Sequence, residues 1–243
     1  MQTVLILGGT SDIAYELAKT HIAKQDEVIL ASRNIANLEV IQSDLKIRYE
    51  GEVQVVKFDA TDTSSHRSFF SGLPDSISVV YCLFGYLGDN DLAKTSWAEA
   101  QQIINSNYVG AVSILNIIAE NFAKKREGVI VGVSSVAGVR GRQSNYMYGS
   151  AKAGFTAYLS GLRNSLYKDG VHVLTVLPGF MDTKMTAGMN LPKLLTASPE
   201  NAAQKIAKAA QKKRNIVYVL GKWRYIMMII SSIPEPIFKK LKL

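Results

Sequence analysis

The run Val4-Leu-Ile-Leu7-Gly8-Gly9-Thr10-Ser11-Asp12-Ile13-Ala14 decides the fold of this 243-residue chain. Its four leading apolar residues, with nothing polar alternating between them, read as a strand covered on both faces. Glycines follow at once, and a helical apolar period then begins at Asp12. A strand that passes through a glycine turn into a helix presents free N–H groups and the positive end of the helix dipole. That arrangement suits a pyrophosphate, with Gly8, Thr10, Ser11, Asp12 and Ile13 as its expected contacts.

The same alternation continues along the chain. Strands are expected at Val4–Leu7, Val28–Ala31, Val53–Phe58, Val79–Phe84, Gly128–Val133, His172–Leu177 and Ile216–Leu220. Helices are expected at 12–24, 35–49, 63–72, 97–125, 149–168 and 199–213. Strands alternating with helices build βαβ units on a parallel sheet. The fold class is therefore α/β, a single doubly wound Rossmann domain with a seven-stranded parallel sheet over residues 1–221. Residues 222–243 form a tail rather than a second domain. Ligands of such a sheet bind beyond the carboxyl ends of its strands.

Composition narrows the setting. A hydrophobic fraction of 47% and a charged fraction of 20% belong to a globular chain. Cys82 is the only cysteine, which excludes an intrachain disulfide and suits a reducing compartment. It reads as a small buried hydrophobe rather than a reactive thiol. The chain starts Met-Gln-Thr and enters a strand at once, so a cytoplasmic location without a secretory leader is expected. His21, His66 and His172 lack metal-ligand spacing and read as structural, so no metal is expected.

A second constellation carries the chemistry. Thirteen residues separate Ser135 from Tyr148, and four more reach Lys152. Residues four apart on a helix share a face. A phenol has an ordinary pKa near 10, too high for proton transfer at neutral pH, and an adjacent ammonium favours the phenolate. A serine hydroxyl arriving from the end of a preceding strand can hold the oxygen that exchanges the proton. The three make a general acid/base in which Lys152 is expected to lower the Tyr148 pKa. Ser134 fails the spacing, and Tyr146 lacks a lysine four residues on.

These residues, with Asn107-Tyr-Val-Gly110 upstream and Pro178-Gly179 downstream, resemble the short-chain dehydrogenase/reductase family over roughly residues 3–220. The resemblance implies a ketone–alcohol oxidoreductase with a nicotinamide cofactor. It places Asn107 in a proton relay beside Lys152, and Asp59 and Ala60 at the adenine. Gly85 then approaches the nicotinamide ribose, and Pro178, Gly179, Met181 and Thr183 close on the carboxamide. Tyr148 and Lys152 touch the cofactor as well as the substrate. A homodimer or homotetramer is expected. Two departures stand out. Asp12 and Ala14 replace two of three glycines in the family's Gly-x-x-x-Gly-x-Gly, and Asp12 must turn away from a pyrophosphate, for example to cap the helix. Cys82-Leu-Phe-Gly85 replaces Asn-Asn-Ala-Gly.

Ser32-Arg33-Asn34 follows the second strand and offers no acid for a ribose 2′-hydroxyl, whereas Arg33 suits a 2′-phosphate. NADP(H) is expected over NAD(H). The stretches Gly8–Ile13, Phe84–Asp89 and Pro234–Lys240 resemble the keto-reductase subgroup of polyprenylphosphoryl-ribose 2′-epimerases, which implies a lipid-linked 2-keto pentose as substrate. A soluble reductase of small carbonyl compounds or hydroxy acids is the alternative, and a non-catalytic nucleotide-binding protein a remote one.

Charge is concentrated at the end of the chain. Residues 205–243 hold ten Lys/Arg against Glu235 alone, while the rest of the chain is near neutral. Nucleic acid is not the expected partner, because the tail cations are mixed with Trp223, Tyr225, Met228, Ile229 and other apolar residues. The mixture suits an anionic membrane face, with Lys222, Arg224, Lys239, Lys240 and Lys242 as the cations. The unbroken apolar run Tyr225–Ile230 is far short of the roughly 20 residues that span a bilayer. Peripheral docking on the inner membrane face is the expectation. Cover for a substrate pocket or a subunit interface is the other reading of the tail.

Overall fold

Strands form where Val, Ile and Leu are dense in the computed structural model, which describes residues 1–241. Lys242, one of the expected membrane-docking cations, and Leu243 lie outside the described residues. In chain order the elements are β1 (Thr3–Leu7), α1 (Asp12–Ile22), β2 (Glu27–Ser32), α2 (Ile35–Tyr49) and β3 (Val53–Lys57). They continue with α3 (His66–Ser71), β4 (Ile77–Cys82), α4 (Asn90–Ala93), α5 (Trp97–Ile104), α6 (Gly110–Lys125) and β5 (Val129–Val133). Then follow α7 (Tyr146–Leu166), β6 (His172–Leu177), β7 (Phe180–Met181), β8 (Thr196–Ala197) and α8 (Pro199–Gln211). The last are β9 (Ile216–Tyr218), α9 (Lys222–Ser232) and α10 (Glu235–Phe238).

The sheet is seven-stranded and parallel, in the order β3-β2-β1-β4-β5-β6-β9. Successive residues of β1 enter different layers. Val4 and Ile6 pack with Leu17 of α1, Leu45 of α2 and Ile206 of α8. Leu5 and Leu7 pack with Leu115 and Phe122 of α6 and Phe155 of α7. Both faces of the strand are thus covered, which is why its sequence lacks polar alternation. The chain reverses its winding between β1 and β4, and ligands of doubly wound sheets bind at that crevice.

Among the expected boundaries that move, three bear on the site. Strand β4 ends at Cys82 instead of Phe84, and the residues after it form the wall of a cavity. Helix α7 starts at Tyr146 rather than 149, so Tyr148 lies in its first turn. The long helix expected over 97–125 is interrupted by a π-turn, Asn105–Val109. The cause is local. Asn107 Nδ2 donates to Ile103 O at 2.8 Å, the carbonyl that its own backbone N–H would take in an α-helix. The backbone ladder slips by one residue, and the Gly110 N–H bonds Asn105 O instead.

Candidate active site

The carboxyl ends of β1, β2, β4, β5 and β6 border a cavity of about 770 Å³. That is within the usual ligand-pocket range of about 300–1,000 Å³. Its first wall is the turn after β1. Gly8 has φ +91, and a Cβ there would lie 2.7 Å from Phe84 N, so only glycine allows the turn to sit against the end of β4. Ser11 caps α1, its hydroxyl accepting from Ala14 N at 3.2 Å. The N–H groups of Asp12 and Ile13 bond no described residue, as first-turn donors commonly do not. Both residues line the cavity.

Asp12 does not cap the helix, contrary to the suggestion from sequence. Its carboxylate accepts the backbone N–H of Lys184 at 2.9 Å and faces that residue's ammonium at 3.6 Å. The charge is turned toward the segment after β7.

At the far end, exposed Arg33 follows β2 and lines the cavity with Ser32 and Ala60. Asp59 is not among the lining residues. Its Oδ1 accepts from Thr61 N at 2.9 Å and Thr61 Oγ1 at 2.8 Å. Burial works against that carboxylate, yet the Thr61 bonds and the nearby Arg33 charge hold its pKa below the usual value.

Ser135, Tyr148 and Lys152 share one wall. Ser135 extends from the end of β5, and its Oγ accepts from Ala137 N at 3.1 Å. Ser134 is turned the other way, donating to Lys152 O at 2.9 Å inside the core. Lys152 is 3% exposed and donates to Val133 O at 3.0 Å. Its Nζ lies 5.8 Å from the centre of the Tyr148 ring. Burial lowers the Lys152 pKa to about 8.

The expected lowering of the Tyr148 pKa is not seen in the ligand-free chain. Burial pushes the phenol up to about 12, and the Ser135 hydroxyl offsets only part of that. The tyrosine side chain is partly open to the cavity, so cavity solvent softens the effect. At neutral pH the phenol holds its proton, because burial disfavours the phenolate.

Asn107 lies beneath this wall rather than in it, 1% exposed. It donates to Tyr86 O at 2.6 Å and to Ile103 O at 2.8 Å, and accepts from Tyr86 N at 3.2 Å. Gly85 closes over it, since a Cβ there would meet Asn107 Oδ1 at 2.8 Å and Lys152 Nζ at 3.4 Å. The amide that the Cys82–Gly85 stretch lacks is thus supplied from α5–α6, by Asn107 clamping the loop. Cys82 is buried, and burial pushes its thiol up to about 12.

Pro178, Gly179, Met181 and Thr183 all line the cavity after β6. Over them lies the tail, in keeping with its reading as cover for a substrate pocket, through a residue the sequence did not single out for that role. Trp223, from α9, is 3% exposed, donates to Leu195 O at 3.0 Å and meets the Phe180 ring edge-on at 5.2 Å. A side chain at residue 179 would overlap its indole, so Gly179 also serves the tail. Arg142, Asn145, Met185 and Met189 line the cavity as well. The position of Arg142 between Ser135 and Tyr148 was the one available signal. His21, His66 and His172 are each held by hydrogen bonds, to Asp26 and Tyr81, to Ser113 and Asp59 O, and to Arg214 O.

A neutral phenol, an ammonium and a hydroxyl on one cavity wall can hold a carbonyl oxygen and give it a proton. The comparisons agree with that chemistry. The family model described as short chain dehydrogenase matches residues 2–193. An "uncharacterized oxidoreductase" of Mycobacterium tuberculosis is 34% identical over 98% of this chain and 96% of its own length. A protein of Schizosaccharomyces pombe named NADP-dependent 3-hydroxy acid dehydrogenase is 26% identical, over 89% of each chain. In fold, the chain is similar to a short-chain dehydrogenase from Sphingobium yanoikuyae in complex with NADPH, with a TM-score of 0.83, 19% identity and 97% of each chain covered. This chain belongs to the short-chain dehydrogenase family, oxidoreductases that act on alcohol and ketone groups.

Proposed function

We propose that the protein reduces a ketone to a secondary alcohol, or runs the reverse reaction, with NADP(H). The observation that carries this reading is the convergence of Ser135, Tyr148 and Lys152 on a cavity whose opposite end holds the Gly8 turn and Arg33. NADPH, when bound, supplies the hydride. Tyr148, protonated at neutral pH, gives the proton to the oxygen; its raised pKa opposes the transfer, which relies on the Lys152 charge to stabilise the phenolate. Ser135 fixes that oxygen. Lys152, with a pKa of about 8, is mostly charged at pH 7 and stabilises the phenolate that the transfer leaves. Asn107 braces the Gly85–Tyr86 loop over Lys152. The free N–H groups at the start of α1 suit the pyrophosphate, and Arg33 suits the 2′-phosphate. The Sphingobium structure and the name of the yeast relative support the cofactor choice.

Turnover of Tyr148→Phe decides the matter. A loss of roughly 10²–10⁴-fold is the scale of general acid/base catalysis, with NADPH binding retained. Near-wild-type turnover would remove Tyr148 from the chemistry.

For the substrate, we propose a lipid-linked ketone of the 2-keto pentose kind, taken at a membrane face. Helix α9 supports it. Trp223 and Met227 face the body, whereas Tyr225, Met228 and Ile229 are more than 60% exposed beside exposed Lys222 and Arg224. The tail therefore builds the cavity wall and presents an apolar, basic outer face at once. Among the described residues no helix is long and apolar enough to cross a membrane. Each cation near an anionic surface adds about 1 kcal/mol. Co-sedimentation with anionic liposomes at low salt, lost at high salt, is the expected result; no binding under any condition refutes docking. A soluble hydroxy-acid dehydrogenase is the second reading, favoured by the name of the yeast relative.

A further inference from the structure

Three arginines are half-buried, and two of them are fully employed. Arg163 donates to Val173 O at 2.7 Å and Thr175 Oγ1 at 2.5 Å. Arg140 holds the tail, donating to Ile230 O at 2.7 Å, pairing with Glu235 at 2.9 Å and lying 3.6 Å above the Phe238 ring centre. Arg142 differs. Its Nε is sealed from solvent with no acceptor, and among the described residues no carboxylate pairs with it. Burial is the one influence on its pKa, which is pushed down. Three residues on, Asn145 Oδ1 is a second sealed polar atom without a partner. Both side chains line the same cavity, against Met181, Met185, Met189 and Trp223.

A half-buried guanidinium with a sealed, unpartnered Nε and no counter-charge is unfavourable, and a ligand that brings the charge relieves it. We propose that Arg142 is a specificity-determining residue that takes an anionic oxygen group, phosphate ester or carboxylate, carried by the substrate. Asn145 accepts from a hydroxyl beside that group. The site is distinct from the cofactor's phosphate end. Arg33 directly follows β2, whereas Arg142 stands in the segment between β5 and α7, and three strand spacings separate β2 from β5 in the sheet order. One phosphate cannot serve both. The apolar residues Met181, Met185, Met189 and Trp223 in the lining of the same cavity add a second requirement. The favoured substrate is an amphiphile, with an anionic group and a hydrophobic body.

The inference deepens the ketone-reductase reading by naming a substrate class, and its test reads binding rather than turnover. With NADP⁺ saturating the cofactor end, calorimetry compares octyl phosphate, octanoate and octanol. Wild-type protein should bind one of the anions about 10- to 150-fold more tightly than the alcohol, the scale of one charge-assisted bond. Arg142→Met should abolish the gap, while Arg142→Lys keeps part of it. Tighter octyl phosphate identifies a phosphate ester and tighter octanoate a carboxylate. Equal affinity for all three, no binding of either anion, or an unchanged gap in Arg142→Met overturns the proposal. Should Arg142→Met fail to fold, Arg142→Gln carries the same comparison. Tyr148→Phe should leave the probes' affinities unchanged, so loss of the ketone chemistry and loss of the anion site are read separately.

Discussion

Replacing Lys152 with methionine should stabilise the ligand-free protein at neutral pH while suppressing turnover. Lys152 is 3% exposed, and burial brings its pKa from the ordinary 10.5 to about 8. In the unfolded chain the ammonium regains its ordinary value, so the gap is about 2.5 pH units (10.5 less 8). At 1.36 kcal/mol per unit this is a penalty on the folded state of about 3 kcal/mol. Its pH window follows from the two values. Below pH 8 both states hold the proton and the penalty is complete. Between pH 8 and 10.5 the unfolded chain binds a proton that the folded chain has lost, so wild-type stability rises with pH. Methionine keeps the apolar stem and titrates nowhere. The lost bond to Val133 O costs about 1 kcal/mol at every pH and cancels in a pH difference. Urea unfolding of both proteins is the assay. Lys152→Met should be more stable by about 2 kcal/mol at pH 7 and should lose that advantage near pH 10.5. A stability difference that stays constant from pH 7 to 10.5 refutes the buried-ammonium reasoning.

Two further outcomes are expected. Arg33→Ala should narrow a preference for NADPH over NADH of at least about tenfold, a single charge-assisted bond, when affinities are measured by calorimetry; an unchanged ratio removes Arg33 from 2′-phosphate recognition. Gly179→Val should displace the Trp223 indole that overlaps the added side chain, raising exposure of the cavity and shifting tryptophan emission to the red; emission identical to wild type shows that the tail does not hold the indole there.

The strands and the first turn were legible because their causes are local. Val4–Leu7 reads as doubly covered from four residues, and Gly8 marks the single place where β1 must meet Phe84. The π-turn at Asn105–Val109 was not legible, since Asn-Ser-Asn-Tyr-Val carries no sign that one side chain will compete for Ile103 O. Helix α9 was read from composition either as a membrane-facing run or as cover for a pocket or subunit interface. The structure divides it, with Trp223 and Met227 four apart on the body and Tyr225, Met228 and Ile229 outside. A helix apolar on most of its circumference does not say which stripe is buried. That choice is made elsewhere, by the absence of a side chain at residue 179 and by Arg140 taking the carbonyls at the helix end.

The same division holds in the site. Spacing brought Ser135, Tyr148 and Lys152 to attention because a strand end and one helical turn fix their relation. Their proton affinities depend instead on what covers them, and cover comes from distant parts of the chain. Gly85 over Lys152, Asn107 under the loop and Trp223 over Gly179 come from three different segments. That cover raises the Tyr148 pKa and lowers that of Lys152, moving both away from the charged form. In the ligand-free chain at neutral pH the pair is therefore a protonated phenol beside an ammonium held with little margin. Negative charge brought into the cavity raises the Lys152 pKa and secures the ammonium, which in turn favours the phenolate. Asp12 is held by Lys184 at the cavity rim, so its carboxylate is unsuited to that task. The charge must arrive with the ligands, which ties proton transfer at Tyr148 to an occupied cavity.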